Sequence, residues 1–363
     1  MKFFKSPIFL ISVFVIVIIV VGYKLKQKTA EEQEGNILKE VKVEFPYRTY
    51  DLYSVAFIEP ASFIAVGSNG IILRSDDSAK TWSEQRLDCM GDNLLSVFFI
   101  DNTKGWIVGT GALVFKTTDG GRSWQKAFLQ TSATCSINLR CNDICLKNIY
   151  FFDDQVGWIA GEGPLLLCTN DGGKKWDERN IGKDLVNLND VAFFSKDAGL
   201  VVGEGGTLCS TKDGGKTWTG HDDITTKSLM RIHMIDDKKA LIVGLEGIVL
   251  YTEDEGETWQ KIQVSNDARD LDNHIFACDW LGTSGVGSGS MDIMQIMGEG
   301  LLARSFDLGR SWRFSNVIDN DVVKMTYKLI SDTYFIDHCN GVVVGKNGLI
   351  ALTHDAQRWT RVN

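Results

Sequence analysis

A short phrase built on Ser/Thr-x-Asp, turn residues and a Trp recurs seven times along this 363-residue chain. One copy reads Thr211-Lys-Asp-Gly-Gly-Lys-Thr-Trp218, and the last, Thr353 to Trp359, is one residue short and lacks the glycine. The tryptophans lie 41 to 53 residues apart. Such a period, with turn residues at fixed offsets, is typical of propellers and related repeat arrays. The motif residues are Asp77, Asp119, Asp171, Asp213, Asp254, Asp307 and Asp355, with Trp82, Trp124, Trp176, Trp218, Trp259, Trp312 and Trp359.

Each copy has the chemistry of a tight turn that leads into a strand. The Ser/Thr hydroxyl and the carboxylate two residues later are able to accept backbone N–H groups of the turn. Glycine two residues after the Asp, such as Gly215, permits a positive φ. The Trp then opens the next strand and is predicted to pack between neighbouring sheets. Because seven copies spread around a ring cannot share one active site, we interpret these aspartates as structural.

Two further phrases complete each repeat. A Gly-rich phrase such as Val202-Gly-Glu-Gly-Gly206 precedes each motif, and a short apolar run such as Val191–Phe194 comes before that. Each repeat is thus read as four short strands, with the Gly-rich turn between strands 2 and 3 and the motif between strands 3 and 4. The sequence predicts an all-β protein, a seven-bladed β-propeller over residues 48–363.

The N-terminal segment differs from the repeats. Pro7–Tyr23 is an apolar run of 17 residues in which only Ser12 is polar. At about 1.5 Å per residue a helix of this length spans roughly 25 Å, near the thickness of a bilayer core. A secretory signal peptide is the alternative, but no small-x-small cleavage site follows. We expect residues 1–28 to form a transmembrane anchor helix and residues 29–47 a polar tether.

Charge and cysteine content limit the classes of partner and ligand. Five of the 38 basic residues and none of the 47 acidic ones precede residue 31, so the rest of the chain carries a formal charge of −14. Nucleic acid is therefore excluded as a partner, since no basic stripe exists. Cys135, Cys141 and Cys145 cluster after the second repeat, and a disulfide is expected there in an extracytoplasmic protein. Their spacing fits no zinc pattern, and we predict no metal site.

The phrases V-G-x-x-G and T-x-D-G-G-x-T-W, repeated behind one apolar segment, resemble the photosystem II stability/assembly factor family over about residues 48–363. The resemblance implies a propeller with Asp-box hairpins in the periplasm or thylakoid lumen. It also implies a scaffold that binds a subunit of a membrane protein complex, with no cofactor and no small-molecule substrate. The family's arginine-rich patch does not carry over, because the Gly-rich turns here hold Glu162, Glu204, Glu246 and Glu299.

Asp boxes also occur in sialidases and other glycosidases, so a carbohydrate-binding or glycosidase propeller is the alternative. The sialidase phrase Arg-Ile-Pro is absent. No pair of carboxylates stands out as a glycosidase would require. The five histidines form no H-E-x-x-H phrase. We therefore predict a protein that is not an enzyme, a membrane-tethered interaction scaffold.

The insertions between repeats predict which face of the ring binds. In a propeller, the strand 2–3 turns and the links between blades lie on one face, called here the loop face, and the motifs lie on the opposite Asp-box face. Residues 129–146 and 264–273 are long links, and we assign Ser290–Met297 to a strand 2–3 turn. Long loops on a rigid ring cost little and often bind partners. We expect a partner to dock on the loop face around Glu162, Glu204, Glu246 and Glu299.

Overall fold

Seven antiparallel sheets of four strands follow one another along the chain, and in each sheet the strands are hydrogen-bonded in sequence order. The predicted seven-bladed β-propeller is confirmed. Among the residues that the structure describes, no helix is long and apolar enough to span a bilayer. The predicted anchor and tether lie outside those residues. The computed structural model describes residues 50–129, 144–183, 186–266, 269–282, 292–299, 301–314, 330–355 and 359–362.

The strand bounds show the repeat directly. Blades 1 to 4 comprise Leu52–Ile58, Ser62–Gly67, Ile71–Ser75 and Ser83–Arg86; Leu94–Phe99, Gly105–Gly109, Val114–Thr117 and Gln125–Ala127; Leu146–Phe151, Gly157–Gly161, Leu166–Thr169 and Asp177–Glu178; and Leu188–Phe193, Gly199–Gly203, Leu208–Thr211 and Thr219–Gly220. Blades 5 to 7 comprise Leu229–Met234, Ala240–Gly244, Val249–Thr252 and Gln260–Lys261; Ile275–Gly282, Asp292–Gly298, Leu301–Ser305 and Arg313–Phe314; and Ile330–Phe335, Gly341–Gly345, Ile350–Thr353 and Thr360–Arg361.

The first strand of each blade is innermost and contacts the first strands of both neighbouring blades. The contact between Leu52–Ile58 of blade 1 and Ile330–Phe335 of blade 7 closes the ring. In blade 4 the second strand, Gly199–Gly203, is buried along its whole length, whereas the outermost strand, Thr219–Gly220, is exposed. Because a neighbouring blade covers each face of a sheet, the inner strands are nearly continuous apolar runs.

Each interface between neighbouring blades has its own apolar core, and each core includes one motif tryptophan. Trp218 of blade 4, for example, packs edge-on against Trp158 of blade 3, with ring centroids 6.0 Å apart. In this way the tryptophan of each blade reaches the preceding blade. The other six interface cores contain Trp82, Trp124, Trp176, Trp259, Trp312 and Trp359.

The motif forms a closed set of hydrogen bonds within its own turn. In blade 4 the Thr211 hydroxyl donates to Asp213 Oδ1 (2.9 Å) and accepts the Gly215 N–H (2.9 Å). The Thr217 N–H and hydroxyl donate to the same carboxylate at 2.9 and 2.6 Å. The bond from the Thr217 hydroxyl is the main reason that the pKa of Asp213 falls to about 2. The carboxylate is thus committed to holding the turn.

In blade 4 the glycine of the motif permits both the positive φ of the turn and a close contact with the preceding blade. Gly215 has φ +72°, and a Cβ there would lie 2.1 Å from the ring of Trp158. Blade 1 has Ala79 at this position, in the same left-handed conformation at φ 64°. A larger side chain would push the turn away from the preceding blade.

Ser290–Met297 was assigned to a strand 2–3 turn, and this prediction is wrong. The second strand of blade 6 spans Asp292–Gly298. The first strand, Ile275–Gly282, pairs antiparallel with it and ends on the Asp-box face. Ile293, Met294, Ile296 and Met297 are all buried because blades cover both sides of this strand. An unbroken apolar run without polar alternation is the mark of such a strand.

We predict that Trp176→Ala lowers the free energy of unfolding by about 3–5 kcal/mol. Trp176 is 1% exposed, and its ring centroid lies 6.0 Å from that of Phe151 in the core between blades 2 and 3. Chemical denaturation followed by fluorescence measures the change. Lys174→Ala, in the same turn but exposed, is the matched control and is expected to stay within about 0.5 kcal/mol of wild type. Equal effects of the two substitutions would contradict the packing role.

Candidate functional site

A cup of about 420 Å³ opens at the axis of the ring on the loop face. The first strand of each blade contributes one side chain to it, from the residue that follows the buried Leu or Ile at the start of the strand. These seven side chains, called here the cup ring, differ in size, polarity and charge. They are Tyr53, Leu95, Lys147, Asn189, Met230, Phe276 and Ser331.

Polar contacts join the cup ring across blades 3, 4 and 5. Lys147 Nζ donates to Asn189 Oδ1 (2.9 Å), and Asn189 Nδ2 donates to the Leu229 carbonyl (2.8 Å). Lys147 also lies 3.5 Å from Glu204 Oε1. The Glu204 carboxylate accepts from Asn187 Nδ2 at 3.0 and 3.1 Å. Glu204, one of the four predicted glutamates, is therefore part of the polar network at the rim of the cup.

The four predicted glutamates all lie in strand 2–3 turns on the loop face, in positions that differ in detail. Glu162 and Glu246 are exposed, and Glu299 is half-buried and lines the cup. Glu162, Glu204 and Glu299 directly follow the glycine that ends strand 2. Glu246 stands one residue later, in a left-handed conformation at φ 54°.

Basic groups lie among these glutamates. Lys346 of blade 7 occupies the turn position that Glu162 occupies in blade 3, and it lines the cup. Lys227 Nζ donates to the Glu246 carbonyl at 2.7 Å. With Lys147 beside Glu204, the centre of the loop face has mixed charge. Glu162, Glu204 and Glu246 are its exposed glutamates.

Below the cup, a second set of seven residues forms what is called here the axial ring. Four of its members, Ser54, Ser96, Asp190 and Asp332, accept N–H groups from the first strand of the following blade. The Val97 N–H donates to Ser54 Oγ (3.4 Å), and the Ile232 N–H donates to Asp190 Oδ2 (2.8 Å). The Val55 N–H donates to Asp332 Oδ2 (3.0 Å), which links blade 7 to blade 1. The axial ring comprises Ser54, Ser96, Asn148, Asp190, Arg231, Ala277 and Asp332.

Arg231 carries the positive charge at the axis. Its guanidinium donates to Asp332 of blade 7, and the small Ala277 of blade 6 stands between them in the ring. Burial raises the pKa of Asp190 to about 6, against the attraction of Arg231. Burial acts to lower the pKa of Arg231, but the carboxylates of Asp332 and Asp190 outweigh it and raise that pKa. Arg231, Asp190 and Asp332 therefore form one buried network of charged groups.

Sequence reasoning missed the cup ring and the axial ring, although a signal for both exists. Within otherwise similar apolar runs, the residue after the first Leu or Ile changes from blade to blade. The next residue is often polar, as Asp190 is within Leu188–Phe193. A polar side chain inside a buried run needs a partner. Alignment of the seven repeats would have singled out these two positions.

The predicted cysteine cluster is described only in part. Cys145 is a half-buried thiol, and burial raises its pKa to about 11. Cys135 and Cys141 lie outside the described residues, so the disulfide stays a prediction.

One group of potential metal ligands comes together in the part of the chain that the structure describes: Asp337, His338 and Cys339 in a turn of blade 7. Asp337 Oδ1 accepts the N–H groups of Cys339 and Asn340 at 2.7 Å each. Asp101 holds the equivalent turn of blade 2 in the same way, with bonds of 2.7 Å. The Asp337 contacts thus recur in another blade as part of the turn, and they give no support for a metal site.

We predict that Arg231→Met destabilises the protein by about 3 kcal/mol or more at pH 8, because two buried carboxylates lose their cation. Burial raises the pKa of Asp190 to about 6 even with Arg231 present, and the substitution removes the attraction that opposes this rise. The contribution of Asp190 to stability is retained below its unfolded pKa of about 4 and is lost as the pH rises through its folded pKa. The destabilisation is therefore expected to be larger at pH 8 than at pH 5, as measured by urea denaturation. The double variant Arg231→Met/Asp332→Asn should recover part of the loss. A pH-independent effect would contradict the electrostatic role.

Comparisons with known proteins agree with this architecture. A family profile described as "Photosynthesis system II assembly factor YCF48" matches residues 30–134, 89–186 and 180–279. A solved structure of YCF48 bound to D1 peptide is 21% identical, covers 85% of this chain and 94% of that one, and has a TM-score of 0.62. YCF48 from Cyanidioschyzon merolae is 18% identical, with coverages of 86% and 97% and a TM-score of 0.61.

An enzyme shares the same fold. The GH74 xyloglucanase from Xanthomonas campestris is 15% identical, covers 87% of this chain and 55% of that one, and has a TM-score of 0.66. No curated protein sequence matches the chain. At such identities the structural likenesses concern the fold, whereas the profile match extends over most of the sequence. The chain thus belongs to the YCF48 family of photosystem II assembly factors.

Proposed function

We propose that this protein is a non-catalytic scaffold, tethered to the membrane, whose loop face binds a subunit of a membrane protein complex during assembly. One observation carries the proposal. In a repeat whose structural positions are nearly identical, the seven cup-ring side chains all differ. Positions that vary on a rigid frame and converge on one concave surface are suited to recognition.

Charge defines the chemistry of the proposed partner. Glu162 and Glu246 are exposed around the cup, and the chain beyond residue 30 carries a formal charge of −14. Complementary charge speeds encounter and disfavours acidic partners. A segment with basic and polar side chains therefore fits this face best. The related structure in which YCF48 carries a D1 peptide supports a peptide segment of a membrane protein as the ligand class.

Chemistry at the cup supports a role without catalysis. Of the described residues that line the cup, Glu299 alone carries a carboxyl group. Glycoside hydrolysis ordinarily uses two carboxyl groups that flank the bond to be broken. The axial carboxylates Asp190 and Asp332 are occupied by backbone N–H groups and Arg231. The likeness to a xyloglucanase concerns the fold, and function depends on the site. For these reasons we do not adopt the carbohydrate-binding or glycosidase alternative.

The tether and an extracytoplasmic location are part of the proposal. The apolar run Pro7–Tyr23 supports an anchor, and family membership supports the periplasm or thylakoid lumen. Leu52 lies at the loop-face end of the first strand of blade 1, so the chain enters the ring on the face proposed to bind. A membrane tether would raise the effective concentration of the propeller relative to partners in the same membrane.

We expect reversal of the loop-face charges to abolish association with the partner. Glu162→Lys/Glu246→Lys changes two exposed side chains, and adding Glu204→Lys and Glu299→Lys extends the change to the cup rim. Co-purification from solubilised membranes measures binding, and the melting temperature of the double variant should shift little. The matched control, Lys174→Glu/Lys216→Glu, reverses two exposed charges on the Asp-box face. Loss of association in the control alone would place the partner on the opposite face.

We expect protease added to intact spheroplasts to digest the chain beyond Lys28. The reason is the proposed anchor, which would leave the propeller outside the cytoplasm. Immunoblots against the C-terminal blade measure digestion, with a cytoplasmic protein as the control for lysis. Protection until the membrane is permeabilised would contradict the location while leaving the docking face unaffected.

A further inference from the structure

A third set of seven residues surrounds the axis on the Asp-box side of the axial ring. Each lies four residues after the Leu or Ile that begins the first strand of its blade. All of them line a channel of about 370 Å³. This lower ring comprises Ala56, Phe98, Tyr150, Ala192, His233, Asp279 and Tyr334.

Asp279 is the one carboxylic acid of the lower ring, and it lacks a partner for one oxygen. The residue is 8% exposed, and Oδ2 has no hydrogen-bond partner among the described residues. Its Oδ1 lies 3.6 Å from His233 Nδ1, which is long for a hydrogen bond. The Trp280 N–H donates to the other ring nitrogen of His233 at 3.1 Å. A buried oxygen without a donor is costly and calls for an explanation.

Arg231 attracts this carboxyl group, but burial and the nearby Asp332 outweigh the attraction and raise the pKa of Asp279 well above its ordinary value. Burial, together with Arg231, lowers the pKa of His233 to about 4, so its imidazole is neutral at pH 7. Arg231 itself is bound to Asp332. Gln295, paired with Asp279 on the second strand, uses its Oε1 to accept from Arg304 Nε (2.6 Å), and its Nε2 makes no bond to Asp279. The lower ring thus places a buried carboxyl group, with one oxygen lacking a hydrogen-bond partner among the described residues, in the wall of the channel.

Aromatic side chains make up much of the remaining wall. The rings of Phe98 and Tyr150 are 5.4 Å apart, and those of Tyr334 and Phe57 are 5.7 Å apart. Aromatic faces attract organic cations, and the attraction increases when water is excluded. A calcium or magnesium ion would instead need about six oxygen ligands. The lining therefore favours an ammonium group on a carbon chain over a metal ion.

We propose that the lower ring is a binding site for a primary ammonium group, with Asp279 as its counter-ion and Phe98, Tyr150 and Tyr334 as its apolar walls. The ammonium group would enter from the Asp-box face, where Tyr334 is 37% exposed. Its source is either a free aliphatic diamine or the lysine side chain of a protein segment. This site lies on the opposite end of the axis from the cup and does not depend on the function proposed for the loop face.

The experiment is a calorimetric titration of the purified full-length protein with two probes, butane-1,4-diamine and N-acetyl-lysine methylamide. We expect saturable binding at one site, weakened at least about tenfold by Asp279→Asn, which removes the charge with little change of shape. Asp237→Asn, which removes an exposed charge in a turn on the same face, is the matched control and should bind as wild type does.

The two probes distinguish the sources of the ligand. Binding of the diamine alone supports a free amine, and binding of both probes supports a lysine side chain as well. If the wild-type protein binds neither probe saturably, the proposal is overturned, whatever the variants do. Equal binding by Asp279→Asn and wild type also overturns it. Displacement of the bound diamine by calcium chloride at equal concentration would assign the site to a metal ion and overturn the ammonium proposal.

Discussion

The packing of each motif tryptophan against the preceding blade is the interaction on which the rest of the molecule depends. A four-stranded blade cannot bury both of its faces alone, and each of the seven interfaces has a separate apolar core. The Asp-box turn fixes the position of the tryptophan at its end, because the hydrogen bonds of the motif all form within the turn. Trp82 belongs to the core between blades 1 and 7, so ring closure uses the same contact as every other interface.

Polar groups near the axis add a second level of organisation. Axial-ring side chains accept N–H groups from the next blade, which fixes the relative height of neighbouring inner strands. Arg231 reaches past the small Ala277 to Asp332, so that blades 5 and 7 are linked electrostatically. Such a buried network stabilises little in net terms, but loss of one member is costly.

This frame leaves the two ends of the axis free to differ in chemistry. The cup on the loop face combines aromatic, aliphatic, amide and charged side chains, whereas the lower ring combines aromatic rings with one carboxyl group. Propellers of this shape include enzymes as well as assembly factors, and the fold alone does not decide between these functions. The proposed scaffold role therefore depends on the cup ring and on the glutamates around it.

The sequence by itself determined the number of blades and the position of each Asp box, because the hydrogen bonds of that motif join residues two to four apart. Apolar runs bounded by glycine likewise located most strands. The run around Met294 was misassigned to a turn, because a strand covered on both faces shows no alternation. Only the tertiary structure decided which residues meet at the axis. Tyr53, Lys147 and Phe276 come from distant repeats, and only closure of the ring brings them to one cup.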